Sequence, residues 1–102
     1  MVGLDIMAQV QEMQNKLAAL QEELGKKNVT ASSGGGMVTV TATGRQEITA
    51  IHIDKTLFGD NDMNMLEDLV QTAVNEALRR SRDLMGQEMR AITGGISIPG
   101  LF

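Results

Sequence analysis

Ile6, Val10, Met13, Leu17, Leu20 and Leu24 recur at spacings of 4-3-4-3-4 through a segment otherwise made mostly of Gln, Glu, Asn, Lys and Ala. On an α-helix that spacing places all six side chains on one narrow face. The pattern predicts a helix over 4–27, roughly 36 Å long at ~1.5 Å per residue. A rod of that length cannot be wrapped by so short a chain, so its stripe must lie against another helix. The partner is either a second helix of the same chain, with the stripe facing a core, or a helix of another copy. The seam itself is compatible with both.

Composition points the same way. The 102 residues include two Phe, no Trp and no Tyr, while eight are Met. Aliphatic and Met surfaces pack adaptably but lack the large aromatic anchors that dominate compact cores and interfaces. The chain is expected to form one domain over 1–102, with a modest core and help from oligomerisation. It has no cysteine, so disulfides and thiolate metal ligands are excluded. No apolar run approaches the ~18 residues of a membrane span, and the N-terminus lacks the layout of a secretory signal. The expectation is a soluble, cytoplasmic protein.

The net charge of −4 is unevenly spread. Residues 59–76 carry Asp60, Asp62, Glu67, Asp68 and Glu76 with no base. Residues 77–102 carry Arg79, Arg80, Arg82 and Arg90 against Asp83 and Glu88. An acidic total argues against a generic nucleic-acid binder, whose non-specific affinity comes from cations on phosphates. It does locate the one end of the chain where such contacts could lie.

Three strand-like segments follow the first helix, for which Gly25 to Asn28 offer a stop signal. Residues 29–32 lead into Gly34-Gly35-Gly36. Residues 37–43 (MVTVTAT) alternate strictly, Val38, Val40 and Ala42 on one face and Thr39, Thr41 and Thr43 on the other. After a turn at Gly44-Arg45-Gln46, residues 47–53 put Ile51 and Ile53 on a common face. The segments read as an antiparallel meander, apolar on one side and Thr-rich on the other. Residues 54–61 read as a turn, with Asp60 and Asp62 offering N-cap oxygens.

A second long helix is predicted over 63–92. Leu66, Leu69, Val70, Ala73, Val74, Ala77 and Leu78 make a broad apolar face, and Leu78, Ser81, Met85, Met89 and Ile92 continue it as a thinner stripe. A broad face suits packing on a sheet; a thin one suits a single helix partner. We therefore expect Ile6–Leu24 to pack antiparallel on Leu78–Ile92. Gly86 interrupts this helix at a cost of about 1 kcal/mol relative to Ala. Residues 93–102 (TGGISIPGLF) do not suit a helix and are expected to form a flexible tail.

No catalytic or metal-binding constellation emerges. Asp60, Asp62 and Asn64 have the 1-3-5 spacing of a calcium loop, but the sixth position is Met65 and the twelfth Gln71, where Gly and Glu are needed. The glycine triplet lacks the Gly-Lys-Ser/Thr of a phosphate loop. His52, the only histidine, has no activated serine marked beside it. The expectation is a protein without enzymatic activity, metal or cofactor.

Local pairing sorts the cations. Glu12–Lys16, Glu22–Lys26 and Glu23–Lys27 are spaced i,i+4 in the favoured orientation. Arg80 has Glu76, and Arg79 has Asp83, at the same spacing. Arg82 and Arg90 have no acid at i±3 or i±4, which leaves them most available to an external anion or to the negative end of the helix dipole.

Several segments in this order resemble one known family. They are MAQVQEMQNKLAALQEEL in the first helix, the central GGGMVTVTATG, Ile53-Asp54 closing the third strand, LEDLVQTAVNEALRR in the second helix, and the terminal Ile-Pro-Gly-Leu. Together they are similar to the YbaB/EbfC family of bacterial nucleoid-associated proteins, across essentially the whole chain. The resemblance implies an α+β fold: a long N-terminal helix, a three-stranded antiparallel sheet and a long C-terminal helix. It also implies a tweezer-like homodimer whose projecting helix ends bind duplex DNA. The expected contacts are Arg79, Arg80, Arg82 and Arg90, with Lys16, Lys26 and Lys27 as auxiliaries. Phosphate contacts position a protein without reading sequence, and no aromatic is placed to stack on bases. The alternative is a Met-rich adaptor whose arms grip a helix of a protein partner.

Overall fold

The structure is a computed structural model that describes residues 2–60 and 62–93, with side chains described for 5–60 and 62–91. The order of elements is α1 (Val2–Lys26), β1 (Asn28–Ser33), β2 (Val38–Thr43), β3 (Ile48–Ile53), α2 (Lys55–Phe58) and α3 (Met63–Thr93). The three strands form one antiparallel sheet in the order β1-β2-β3. This is the α+β arrangement expected from the sequence. Thr93, the first residue of the expected tail, is the last of α3, and the rest of that tail lies outside the described residues.

The alternation of β2 sets the core. Val38, Val40 and Ala42 are fully buried and meet Ala31 of β1 and Ala73 and Ala77 of α3. Alanines on the helix let its backbone approach the sheet closely. Leu66, Leu69, Val70 and Val74 then close the sides. Pairs such as Ser32↔Thr39↔His52 and Thr30↔Thr41↔Ala50 form the opposite, hydroxyl-rich face. There Ser32 Oγ lies 3.2 Å from Thr39 Oγ1.

Ile51, expected on the apolar face, is paired with Val40 and does belong to it. It is nevertheless 49% exposed, and Ile48 is 38% exposed. The reason is that α3 lies across β1 and β2, so the β3 end of the apolar face has no cover. Thr41 pairs with Ala50 and Ala42 with Ile48, making Thr49 the extra residue of a β-bulge.

The connections follow the expectation except after β3. α1 ends at Lys26, within the stop signal of Gly25 to Asn28. The predicted turn after β3 contains a one-turn helix, α2, capped by Asp54 Oδ1, which accepts from the N–H groups of Thr56 and Leu57. Of the two acids offered as caps for α3, Asp62 acts there: its Oδ1 accepts from Met65 N at 2.7 Å.

Gly44 fixes where α1 meets the sheet. Its N–H donates to Leu24 O at 2.9 Å and to Lys27 O at 3.0 Å. A Cβ at this position would stand 2.8 Å from Leu24 Cδ2 and 2.9 Å from Leu24 O. Only glycine permits so close an approach. On the other side of the turn, buried Ser81 donates from Oγ to Thr43 O at 2.7 Å and accepts from Gln46 N at 2.9 Å. Gln46 has a φ of 64°, a left-handed conformation uncommon for a side-chain-bearing residue, so Ser81 holds a strained turn against α3.

Candidate nucleic-acid interface

From this anchor α1 and α3 leave the sheet side by side and antiparallel. Leu24 sits beside Gly44, whereas farther out Lys16, Ala19 and Leu20 line a hollow with Glu88 and Ala91. The molecule is accordingly elongated, 72 × 22 × 18 Å. The expected arm closes only in part. Leu20 and Leu24 are buried and Leu17, Leu78, Met85 and Met89 are half-buried. Ile6, Val10 and Met13 stay 54%, 52% and 39% exposed, because α1 runs on past its overlap with α3. The side chain of Ile92 lies outside those described.

The 3.6-residue period of α3 places Arg79, Arg82 and Arg90 along one exposed stripe, opposite the buried Ala77 and Ser81. Arg80 stands to one side, over the edge of β1. Arg79, Arg80 and Arg82 surround a polar hollow with Ser32, Thr72 and Asn75.

One carboxylate organises the first two. Glu76 pairs with Arg79 Nη2 at 2.6 Å and with Arg80 Nε at 3.2 Å. These hydrogen bonds, Arg79 first, hold the Glu76 carboxyl below the ordinary carboxylate range, against a smaller opposing effect of desolvation. The same hydrogen bond raises the Arg79 guanidinium further. Arg79 therefore pairs at i−3 with Glu76 rather than with Asp83. Arg80 also donates from Nη1 to Thr30 O at 2.5 Å, occupying a backbone acceptor on the β1 edge. Arg82 forms no ion pair with any described residue.

The lysines lie apart from this stripe. Lys16 and Lys26 pair with Glu12 at 3.4 Å and Glu22 at 3.8 Å, both exposed; such pairs contribute about 0–1 kcal/mol. Lys27 was expected to pair with Glu23 but reaches across to Glu88 of α3, tying the two helices together. That hydrogen bond raises the Lys27 ammonium above its ordinary value. The sequence reading missed Glu88 because nothing local marks a partner 61 positions away.

Among the described residues no group of His, Cys, Asp and Glu could hold a metal ion, and no helix is long and apolar enough to cross a membrane. Residues 3–96 match the model of the YbaB/EbfC DNA-binding family. The chain belongs to the YbaB/EbfC family. It is 48% identical over 99 residues to a nucleoid-associated protein of Syntrophobacter fumaroxidans, covering 97% of this chain and 90% of that one. A nucleoid-associated protein of Moorella thermoacetica is 52% identical over 95 residues, covering 93% and 91%. The crystal structure of an uncharacterized Helicobacter pylori protein superposes with a TM-score of 0.76 at 22% identity, covering 87% of this chain and 94% of that chain. This last likeness supports the fold alone.

Proposed function

We propose that this YbaB/EbfC family member is a nucleoid-associated, cytoplasmic protein that binds duplex DNA as a homodimer, through phosphates rather than base edges. The observation that carries the reading is the stripe Arg79, Arg82 and Arg90 on the solvent face of α3. Four of the nine basic residues lie in this helix, on the side turned away from the core. Arg79 and Arg80 are held by a half-buried carboxylate, Glu76, that phosphate can replace, and Arg82 has no ion pair to exchange. Lys16 and Lys26 are auxiliaries of the same kind, and Lys27 becomes one only by giving up Glu88. The nucleoid-associated relatives and the family's DNA-binding description support the same partner.

The dimer surface we favour is the β3 side of the sheet. There Ile48 and Ile51 extend the apolar face beyond α3, whereas the opposite edge strand, β1, is occupied by Arg80. A second copy seated on β3 would leave both pairs of arms projecting.

The test is fluorescence anisotropy of a labelled duplex of roughly three helical turns at about 50 and 200 mM salt. Saturable binding that falls by orders of magnitude over that interval is expected. Replacing Arg82 and Arg90 together by Ala should weaken it and reduce the salt slope by roughly one unit per lost contact. A double variant with unchanged affinity and slope would overturn the assignment.

The exposed Ile6, Met7, Val10 and Met13 favour a second reading, in which the bare half of α1 takes an amphipathic helix of a protein partner. Binding of that kind would vary little with salt.

A further inference from the structure

The geometry points to a small-molecule site on the arm: we propose that the groove around Gly86 binds a single free long-chain carboxylate, with its chain on Leu17, Met85 and Met89 and its head group on Arg82 and Arg90.

The starting observation is a glycine that the protein's own architecture does not require. Gly86 is the only glycine in α3, and glycine is the least favourable non-proline residue in a helix interior. Its backbone is not left-handed, so conformation does not call for it. Close packing of α1 does not call for it either. A Cβ built there would meet one atom within 4 Å, Arg90 Nη1 at 3.4 Å, and none from α1. Gly44 is the contrast, since its missing Cβ is filled by Leu24.

What the absent side chain does provide is space. The groove between α1 and α3 at this level has a volume of about 650 Å³, within the roughly 300–1,000 Å³ of small-molecule sites. Leu17 from α1 and Met85 and Met89 from α3 line it. The two unbranched Met thioethers adapt readily to a flexible hydrocarbon. Gly86 also lets the Arg90 guanidinium lie back against the helix, and Arg82 stands on the same rim.

The lining also carries the Gln21 and Gln87 amides and the Asp83 carboxylate, so two guanidinium groups stand against one acid, and an apolar floor under this net positive rim matches a ligand with a hydrocarbon body and one anionic end. A DNA phosphate would use the rim and leave the floor empty. A partner helix needs apolar anchors over several turns and finds them farther out, on Ile6, Val10 and Met13, whereas the apolar lining of this groove is only Leu17, Met85 and Met89. The proposal goes beyond the DNA-binding reading and shares Arg82 and Arg90 with it, so carboxylate and duplex would compete.

Calorimetric titration of the full chain with dodecanoate, kept below its micelle concentration and without DNA, tests the site directly. Saturation at one dodecanoate per chain is expected, with dodecyltrimethylammonium binding at least about tenfold more weakly, the scale of one charge-assisted contact. Gly86→Leu should fill the groove and abolish binding while leaving the helix at least as stable to heat. Gly86→Ala is the milder version and should weaken binding in the same direction. Equal binding of the cationic amphiphile would overturn the proposal. So would unchanged dodecanoate binding by Gly86→Leu, or failure to saturate. A chain that fails this titration but still binds duplex would leave the DNA reading standing.

Discussion

Leu24 and Val10 belong to the same apolar seam of α1, yet Leu24 is fully buried and Val10 is 52% exposed. On the sheet, Val40 and its cross-strand partner Ile51 divide in the same way, at 0% and 49% exposed. In each pair the residue near the crossing of α3 with the sheet is enclosed, and its neighbour farther out is bare. A body built this way is enclosed where α3 lies on the sheet and where α1 meets the turn after β2. It presents apolar surface at both ends for something else to cover.

The largest expected effect lies at the junction of α1 with that turn. Leu24→Ala removes a side chain that fills the space over Gly44 and should destabilise the protein by about 2–5 kcal/mol. Val10→Ala, in the same seam, should change stability by no more than about 0.5 kcal/mol. Urea unfolding of the two variants measures the contrast. Comparable losses would mean that the bare half of α1 is covered in solution, and the division between enclosed and bare halves would fail.

The second effect separates the two ends of the sheet. Ile51→Lys places a charge on the uncovered part of the apolar face, where it remains solvated in a lone chain. Little loss of secondary structure is therefore expected, but a dimer seated on β3 would have to bury that ammonium. Sedimentation at matched concentrations should show the wild type as a dimer and the variant shifted to monomer. A variant that dimerises like the wild type would move the interface to the hydroxyl-rich face or to the seam of α1.

How far the sequence foretells this structure follows from the range of each interaction. The alternation of Val38, Val40 and Ala42 is local, and it placed the strand, its buried face and the hydroxyl face correctly. The 4-3-4-3-4 seam likewise marks a helix. It cannot say where α3 stops covering that helix, which depends on the angle at which both leave the sheet. Ion pairs were less legible. Lys27 has Glu23 at a favourable spacing, but the antiparallel packing brings Glu88 closer. Arg79 could turn toward Asp83 or Glu76, and Glu76 prevails because it gathers Arg80 as well. The cations of α3 were visible as a cluster in the sequence. Their separation into an exposed stripe and an edge-capping Arg80 required the register of the helix on the sheet.

The smallest stability effect, and the one that tests how the junction communicates with the stripe, concerns Glu76. Its carboxyl is held below the ordinary carboxylate range by Arg79 and then Arg80. A group depressed in the folded state stabilises the fold above its unfolded pKa, and that contribution disappears as the pH falls through the folded value. Glu76→Gln removes the linkage. Wild type should be slightly the more stable at neutral pH, and the two unfolding curves should converge as the pH is lowered through the acid range. Duplex affinity should move the other way at neutral pH, because the substitution deletes one negative charge and releases Arg79, and the Nε of Arg80, from a carboxylate. If Glu76→Gln lost stability and gained no affinity, Arg79 and Arg80 would be structural cations. The interface would then contract to Arg82 and Arg90, the part of α3 that projects beyond the sheet.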